Sequence, residues 1–188
     1  MIKTCWSNFA WHIAVFFSLT VPVGTVSPLP AQSLEDEVKA AMIYNFTRFI
    51  EWPAAAFPTP HAPLVVAVWG DDPIRPHLEA AMTRKTYSGH PIQVKSVHTI
   101  EELAASHLAY SPRSERKRIP HLLRSVGNSP LLTVSDCDGF APAGGVIGFM
   151  TIDDRVRFQI NKTAAAHAGL SVSSKLLALG WHSREQKP

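Results

Sequence analysis

The chain has 188 residues, of which 46% are apolar, 18% charged and 9% aromatic, and this composition excludes a disordered or fibrous protein. The formal net charge is +3, from 18 basic and 15 acidic residues. So small a positive excess argues against a dedicated nucleic-acid-binding protein, and the length suits one domain.

The N-terminal segment has the order of parts that is typical of a secretory signal peptide. Lys3 provides a positive start, residues 9–23 are nearly all apolar, and Pro22 interrupts the run. A membrane anchor would need ~20 uninterrupted apolar residues, which this segment lacks. We therefore predict export with cleavage of the leader.

The predicted boundaries divide the chain into three parts. Ala31 and Ser33 are both small, and cleavage after either is possible; Ser33 also reads as the N-cap of a helix, with Asp36 three residues on. The parts are a signal peptide over residues 1–33, cleaved near residues 31–33, a domain over residues 34–182 and a polar tail over residues 183–188.

The first predicted element of the domain is a helix over residues 34–50. It ends before Pro53, because residues that precede proline avoid helical angles. Its apolar residues recur at helical spacing and predict one buried face, made of Leu34, Val38, Ala41, Met42, Phe46 and Phe49.

Strand and helix signals alternate through the middle of the chain. Residues 64–69 form a continuous apolar run, which indicates a strand covered on both faces, as in a parallel sheet. Pro120 must kink or split the helical pattern that contains it. The predicted strands are residues 64–69, 92–97, 107–110 and 131–134, and the predicted helices are residues 74–82, 101–105 and 113–126.

The C-terminal third predicts a β-hairpin followed by two helices. Residues 146–152 and 155–160 flank Asp153-Asp154, a suitable hairpin turn. The helices span residues 162–167, capped by Asn161, and residues 172–179. Together the elements predict an α/β domain with a mixed, mostly parallel sheet flanked by helices, with a C-terminal β-hairpin.

Cysteine usage leaves one thiol after export. Cys5 is lost with the signal peptide, so Cys137 stands alone in the mature chain. A single cysteine in an oxidising compartment is a buried packing residue, a partner in a disulfide between chains, or a reactive thiol. Its role stays open.

The sequence carries no motif of a known catalytic class. It has no G-x-S-x-G elbow, no H-E-x-x-H and no paired C-x-x-C. A hydrolase that uses Ser135 or Cys137 would also need a positioned base, and no histidine can be assigned to that role. We predict no catalytic residue, cofactor or metal site.

Polar residues follow two of the predicted strands. Asp71 and Asp72 come after residues 64–69, while Ser135 and Asp136 come after residues 131–134. The carboxyl ends of parallel strands are the usual place for a pocket in an α/β sheet. These four residues are therefore the candidate pocket, and a periplasmic small-ligand-binding sensor domain is the alternative function.

An ordered set of short motifs spans nearly the whole predicted domain, from Val38 to Leu179. The set comprises residues 38–46, 49–53, 65–73, 131–136, Gly139-Phe140, Gly144-Gly145, 155–161, 168–170 and 173–177. In this order, and behind a signal peptide, it resembles the YfiR family of exported bacterial proteins.

The resemblance implies a protein that is not an enzyme but a periplasmic regulator of cyclic di-GMP signalling, and hence of biofilm formation. Such a protein binds the periplasmic domain of an inner-membrane diguanylate cyclase and holds it inactive, and an OmpA-like outer-membrane lipoprotein sequesters the regulator. Homodimers are familiar in the family. YfiR itself carries cysteine pairs, which this mature chain lacks, so a redox switch of that kind is not carried over.

An inhibitor of this type needs an exposed apolar patch with a polar rim. Trp52, Phe57 and Trp69 are the candidate partner contacts. Two of them lie in or beside a proline-rich segment, residues 51–61, which reads as a loop suited to a partner. We hypothesise that this loop contributes to the partner surface.

Overall fold

The fold is built around a seven-stranded sheet in a computed structural model that describes residues 31–181. The described residues form nine strands, of which seven belong to this sheet. The strands are β1 (Ile50–Glu51), β2 (Leu64–Trp69), β3 (Thr86–Tyr87), β4 (His90–Val97), β5 (Leu108–Ser111), β6 (Leu132–Ser135), β7 (Ile147–Ile152), β8 (Arg155–Ile160) and β9 (Ser171–Val172). The predicted signal peptide up to residue 30 and the predicted tail, with residue 182, lie outside the described residues.

Six α-helices surround the sheet in the described part of the chain. They are α1 (Ala31–Phe49), α2 (Ile74–Met82), α3 (Ile100–Ala104), α4 (Ile119–Val126), α5 (Lys162–His167) and α6 (Ser174–Leu179). Two short 3-10 helices, Ala54–Ala56 and Arg113–Arg118, complete the order.

The large sheet has the strand order β3-β4-β2-β5-β6-β7-β8. Strands β4, β2, β5, β6 and β7 run parallel to one another, whereas β3 and β8 lie antiparallel at the two edges. Strands β1 and β9 form a separate antiparallel pair. The predicted α/β fold, with a mostly parallel sheet, flanking helices and a C-terminal hairpin, is confirmed.

The central strand β2 is covered on both faces, as its continuous apolar sequence predicts. Val66 and Val68 belong to the core that α1 and α2 cover. Ala67 and Trp69 belong to a second core on the opposite face, with residues of α3 and α4. The sheet is therefore the middle layer of three, which leaves its two edges and its strand ends for binding.

The β7–β8 hairpin turns at the predicted residues. Asp153 and Asp154 both have positive φ, 49° and 55°, and strand pairing resumes directly on either side of them, at Ile152 and Arg155. Two consecutive left-handed residues make the turn whose twist matches that of the flanking strands. Aspartate tolerates this conformation better than most residues.

The buried face of helix α1 differs from the face that the sequence predicts. Leu34 and Val38 were expected to be buried, but their side chains are 59% and 37% exposed. Lys39 is buried instead. The C-terminal half of the helix follows the prediction in part: Phe46 packs against phenylalanine rings of both β7 and β8, whereas Ala41 is exposed.

Candidate functional site

A charged cavity of about 320 Å³ lies at the carboxyl end of the parallel strands. Asp72 follows β2, Pro112 and Arg113 follow β5, and Asp136 follows β6. Parallel strands end at the same edge of a sheet, so loops that are distant in sequence meet there. The N-terminal half of α1 crosses this edge and forms the opposite wall, with Gln32, Glu35, Asp36 and Lys39.

Lys39 is the centre of the charge arrangement. Its Nζ lies 2.8 Å from Glu35 Oε1 and 2.9 Å from Asp136 Oδ2, and its side chain is 5% exposed. Burial alone would lower the pKa of Lys39, but hydrogen bonds and charge attraction from Glu35 and Asp136 outweigh it, so the pKa lies above the usual value. The lysine therefore remains charged and joins α1 to the end of β6.

The remaining carboxylates make the cavity acidic. Burial, together with the charges of Asp136 and Asp36, raises the pKa of Asp72, although Asp72 Oδ1 also accepts a hydrogen bond from Ile74 N–H. Burial and nearby carboxylates likewise raise the pKa of Tyr110, which lines the same cavity. Such an arrangement favours a positively charged group over an anion.

The structure brings together two of the four predicted pocket residues. Asp72 and Asp136 both line the cavity. Asp71 does not: its exposed side chain lies near His98, with 3.9 Å between Oδ1 and Nε2. Ser135 is buried beneath the cavity, where its hydroxyl donates to Ser111 O and accepts from Cys137 N–H. Whether a ligand binds Asp72 and Asp136 stays a prediction.

An apolar groove of about 610 Å³ adjoins the charged cavity. Exposed Leu34 and Val38 of α1 form one wall, and Val156 of β8 lies opposite. Glu35 and Thr151 line both the groove and the cavity. The groove exists because α1 turns its charged face towards the sheet and leaves part of its apolar stripe outside the core.

The predicted partner contacts divide into buried and half-buried residues. Trp69 has no exposed surface, and the Arg118 guanidinium lies over its ring, 4.4 Å from the centroid. Trp52 is 6% exposed, and its indole N–H donates to His107 O. Both side chains belong to the core, and their contact with a partner stays a prediction. Phe57 is half-buried and keeps some surface for one.

Phe57 lies in an aromatic cluster at the opposite end of the parallel strands from the cavity. Its ring stacks on His90 and His107, with centroid distances of 4.0 and 4.5 Å. His90 Nδ1 bonds to Ala62 O, so both histidines hold the loop that contains Phe57. Backbone carbonyl groups of this loop bond to the two histidine rings, so the loop is held in place.

The hydrogen bonds of His107 define its protonation state. Val65 N–H donates to Nδ1, so Nδ1 carries no proton, and the remaining ring nitrogen, Nε2, lies 3.1 Å from Ala56 O as the donor. Burial lowers the pKa of His107 below its usual 6.5; the bond to Ala56 opposes this shift and nearby His90 adds to it. The neutral ring is the form that fits the fold.

We expect His107 to make the protein less stable in mild acid. Since the folded pKa lies below the unfolded one, the unfolded chain binds the extra proton first as the pH falls. The free energy of unfolding is therefore fully retained above about pH 6.5 and falls between that pH and the lower folded pKa. Denaturant unfolding from pH 8 to 5 measures this slope, which should be smaller in His107→Gln; a ring titration midpoint above 6.5 by NMR would contradict it.

Cys137 is buried against Ile119 and Phe140, which supports the packing role among the three that the sequence left open. It is 3% exposed, and burial raises the pKa of its thiol. A thiol that is protonated and enclosed is a poor nucleophile. Over residues 31–181, no three His, Cys, Asp or Glu side chains are grouped so as to hold a metal ion.

Comparison with known proteins identifies the family. The chain matches the DUF4154 family, described as YfiR/HmsC-like, over residues 36–180. The match covers most of the chain and nearly all of the described structure. The chain belongs to the YfiR/HmsC-like family. This is a regulatory family associated with periplasmic control of cyclic di-GMP signalling, and the resemblance inferred from the sequence is confirmed.

One solved structure supports the YfiR/HmsC-like assignment at the level of the fold. It is the conserved domain protein from Vibrio cholerae O1 biovar El Tor str. N16961, with a TM-score of 0.52 and 10% sequence identity. The alignment covers 77% of this chain but 58% of that one, so this chain spans little more than half of its relative. No curated protein matches the chain. None of the helices in the described part of this YfiR/HmsC-like chain could cross a membrane.

Sequence reasoning missed Lys39, Tyr110 and the groove. Lys39 is not part of the apolar stripe predicted for its helix, and Tyr110 was assigned only as part of a short strand. A lysine within an apolar helix of a YfiR/HmsC-like domain was the available signal for the charged cavity. No local sequence pattern predicts the groove, because α1 and β8 lie far apart in sequence.

Proposed function

We propose that the protein is a periplasmic regulator that binds the periplasmic sensor domain of an inner-membrane diguanylate cyclase and represses it, lowering cyclic di-GMP. The observation that carries the proposal is the family match over residues 36–180. In the same proposal the leader over residues 1–33 exports the chain, an OmpA-like outer-membrane lipoprotein sequesters it, and it forms a homodimer.

Repression by binding requires a surface rather than reactive groups. The groove between α1 and β8 offers exposed apolar side chains beside charged ones, which is the usual composition of a binding patch. Half-buried Phe57 is a second proposed contact. The residues that a hydrolase would use, Ser135 and Cys137, are both buried, so the proposed function is not enzymatic.

The test is the cellular level of cyclic di-GMP in a strain that lacks the gene. We expect the level to rise on deletion and to return when the full-length chain is supplied. A version without residues 1–33 should not restore it, because it remains on the wrong side of the inner membrane. An unchanged level under several growth conditions, or restoration by the unexported version, would contradict the proposal.

A small-ligand-binding sensor domain is the second candidate function. The charged cavity favours it, because Asp136 Oδ1 is enclosed and accepts no hydrogen bond from the described residues, and a buried acceptor without a donor is costly. A ligand that supplies a donor should raise the melting temperature. Thermal-shift screening with small amines tests this, with Asp136→Asn as the variant expected to lose the effect.

A further inference from the structure

Strand β8 leaves an open edge on the large sheet. It is the last strand in the order, and Asn161 N–H, just beyond it, bonds to Val146 O at 2.8 Å. In an antiparallel pair the backbone groups alternate in direction, so Val156 and Phe158 turn their N–H and C=O away from β7. Trp181 N–H confirms the direction by donating to Phe158 O at 2.7 Å. The Val156 groups have no strand partner among residues 31–181.

The apolar groove lies directly beside this free edge. Val156 faces the same side of the sheet as α1, where Leu34 and Val38 expose 59% and 37% of their surfaces. Alternate side chains of an added strand would project into this groove. An added strand would thus gain backbone hydrogen bonds at Val156 and apolar contacts with α1 at once.

The charges at the edge indicate what kind of strand fits. Arg155 and Arg157 alternate with Val156, are exposed, and form no ion pair within the described part of the chain. A second copy paired antiparallel about Val156 would set Arg155 opposite Arg157 of the other copy, and like charges directly opposite are destabilising. An acidic strand would instead place carboxylates opposite both arginines.

We propose that β8 and α1 bind an extended segment of the regulated partner, in which apolar residues alternate with acidic ones and which extends the sheet at Val156. The apolar side chains lie in the groove against Leu34 and Val38, and the acidic ones face Arg155 and Arg157. This assignment rests on the proposed function, since it supplies the surface through which the regulator holds its partner.

NMR with a short blocked peptide of alternating valine and glutamate tests the surface directly. We expect amide shifts at Val156 and Phe158 of the nitrogen-15-labelled protein, with binding about tenfold weaker when lysine replaces glutamate in the peptide. Equal binding of the lysine peptide, or shifts confined to another surface, would overturn the proposal.

Variants separate the backbone and charge contributions. Val156→Pro removes the outward N–H without breaking a bond to β7 and should abolish the shift at Phe158, since proline has no amide signal of its own. Arg155→Glu/Arg157→Glu should weaken the valine–glutamate peptide about tenfold and strengthen the lysine peptide. The exposed pair Arg116→Glu/Lys117→Glu is the matched control and should leave both affinities unchanged. Thermal unfolding shows whether each variant is folded. If Val156→Pro is unfolded, the Arg155→Glu/Arg157→Glu variant tests the proposal in its place.

Two further outcomes distinguish this inference from the proposed function. If the wild-type protein lowers cyclic di-GMP and the folded edge variants still do so, the edge is not the partner surface and the inference fails alone. If the wild-type protein has no effect on cyclic di-GMP, the proposed function fails, whatever the peptide does. A dimer that Val156→Pro converts to a monomer would place a second copy on the edge and overturn the assigned occupant.

Discussion

Replacing Lys39 by methionine should lower the free energy of unfolding by about 3–5 kcal/mol, because it leaves Asp136, whose side chain is 16% exposed, without its cation. Lys39 Nζ lies within 2.9 Å of oxygens of both Glu35 and Asp136. Methionine keeps the length and apolar stem of lysine, so the loss reports charge rather than volume. Denaturant unfolding at neutral pH measures the change.

The control is an ion pair of similar geometry on the surface. Arg75 Nη1 lies 2.9 Å from Glu79 Oε1, with both side chains about half exposed, and Arg75→Met should cost less than about 1 kcal/mol. Adding Asp136→Asn to Lys39→Met should recover part of the loss, since it removes one uncompensated charge. Equal effects of Lys39→Met and Arg75→Met would show that the charged cavity is not held by Lys39.

The Lys39 ion pairs should persist across the neutral range. Because the folded pKa of Lys39 lies above the unfolded value of 10.5, their contribution is complete below that pH. It is lost only as the pH rises through the folded pKa. The attachment of α1 to β6 is therefore not itself a switch near neutral pH.

Trp52→Ala should destabilise the fold by about 3–5 kcal/mol, the range for removing a large buried aromatic side chain. The indole is 6% exposed, donates to His107 O at 3.0 Å and meets the Tyr87 ring edge-on at 5.1 Å. The change removes the packing of the ring and one of the two donors to the His107 carbonyl, which keeps its bond from Leu132 N–H at 2.9 Å. Denaturant unfolding followed by circular dichroism measures the loss.

Two further substitutions test whether the loss of stability in Trp52→Ala comes from the core. Trp52→Phe keeps most of the ring but not its N–H, and should cost about 1–2 kcal/mol. Trp181→Phe, at a side chain that is 38% exposed, should stay within about 0.5 kcal/mol. A Trp52→Ala variant that is as stable as the wild type but binds its partner poorly would show that Trp52 contributes to partner binding and not to the stability of the core.

Local patterns predicted most of the secondary structure. The continuous run of β2 and the paired aspartates of the β7–β8 turn are signals that need no information from the rest of the chain. Pro120 was expected to kink or split its helix, and it lies in the first turn of α4, which starts after a 3-10 segment. The two-residue strands β1, β3 and β9 were missed, because so short a stretch carries no periodicity.

The candidate site was predictable only in part. The carboxyl ends of the strands were the expected place, and Asp72 and Asp136 do line a cavity there. The contribution of α1 was not foreseen, since its apolar stripe suggested that Leu34 and Val38 would be buried. Trp52 and Trp69, two of the candidate partner contacts, lie in the core, because aromatic residues near a loop are equally consistent with core and with surface positions.

By itself, the sequence determined the succession of strands and helices, the hairpin turn, and the family, because each is recorded in residues close together or in the order of motifs. The tertiary structure alone decided which face of α1 is buried. Lys39 lies on the inner face and pairs with Asp136, which lies 97 residues further along the chain, while Leu34 and Val38 stay exposed. Local periodicity measures apolar spacing only, whereas the groove, the open edge of β8 and the aromatic cluster depend on which distant segments meet when the sheet forms.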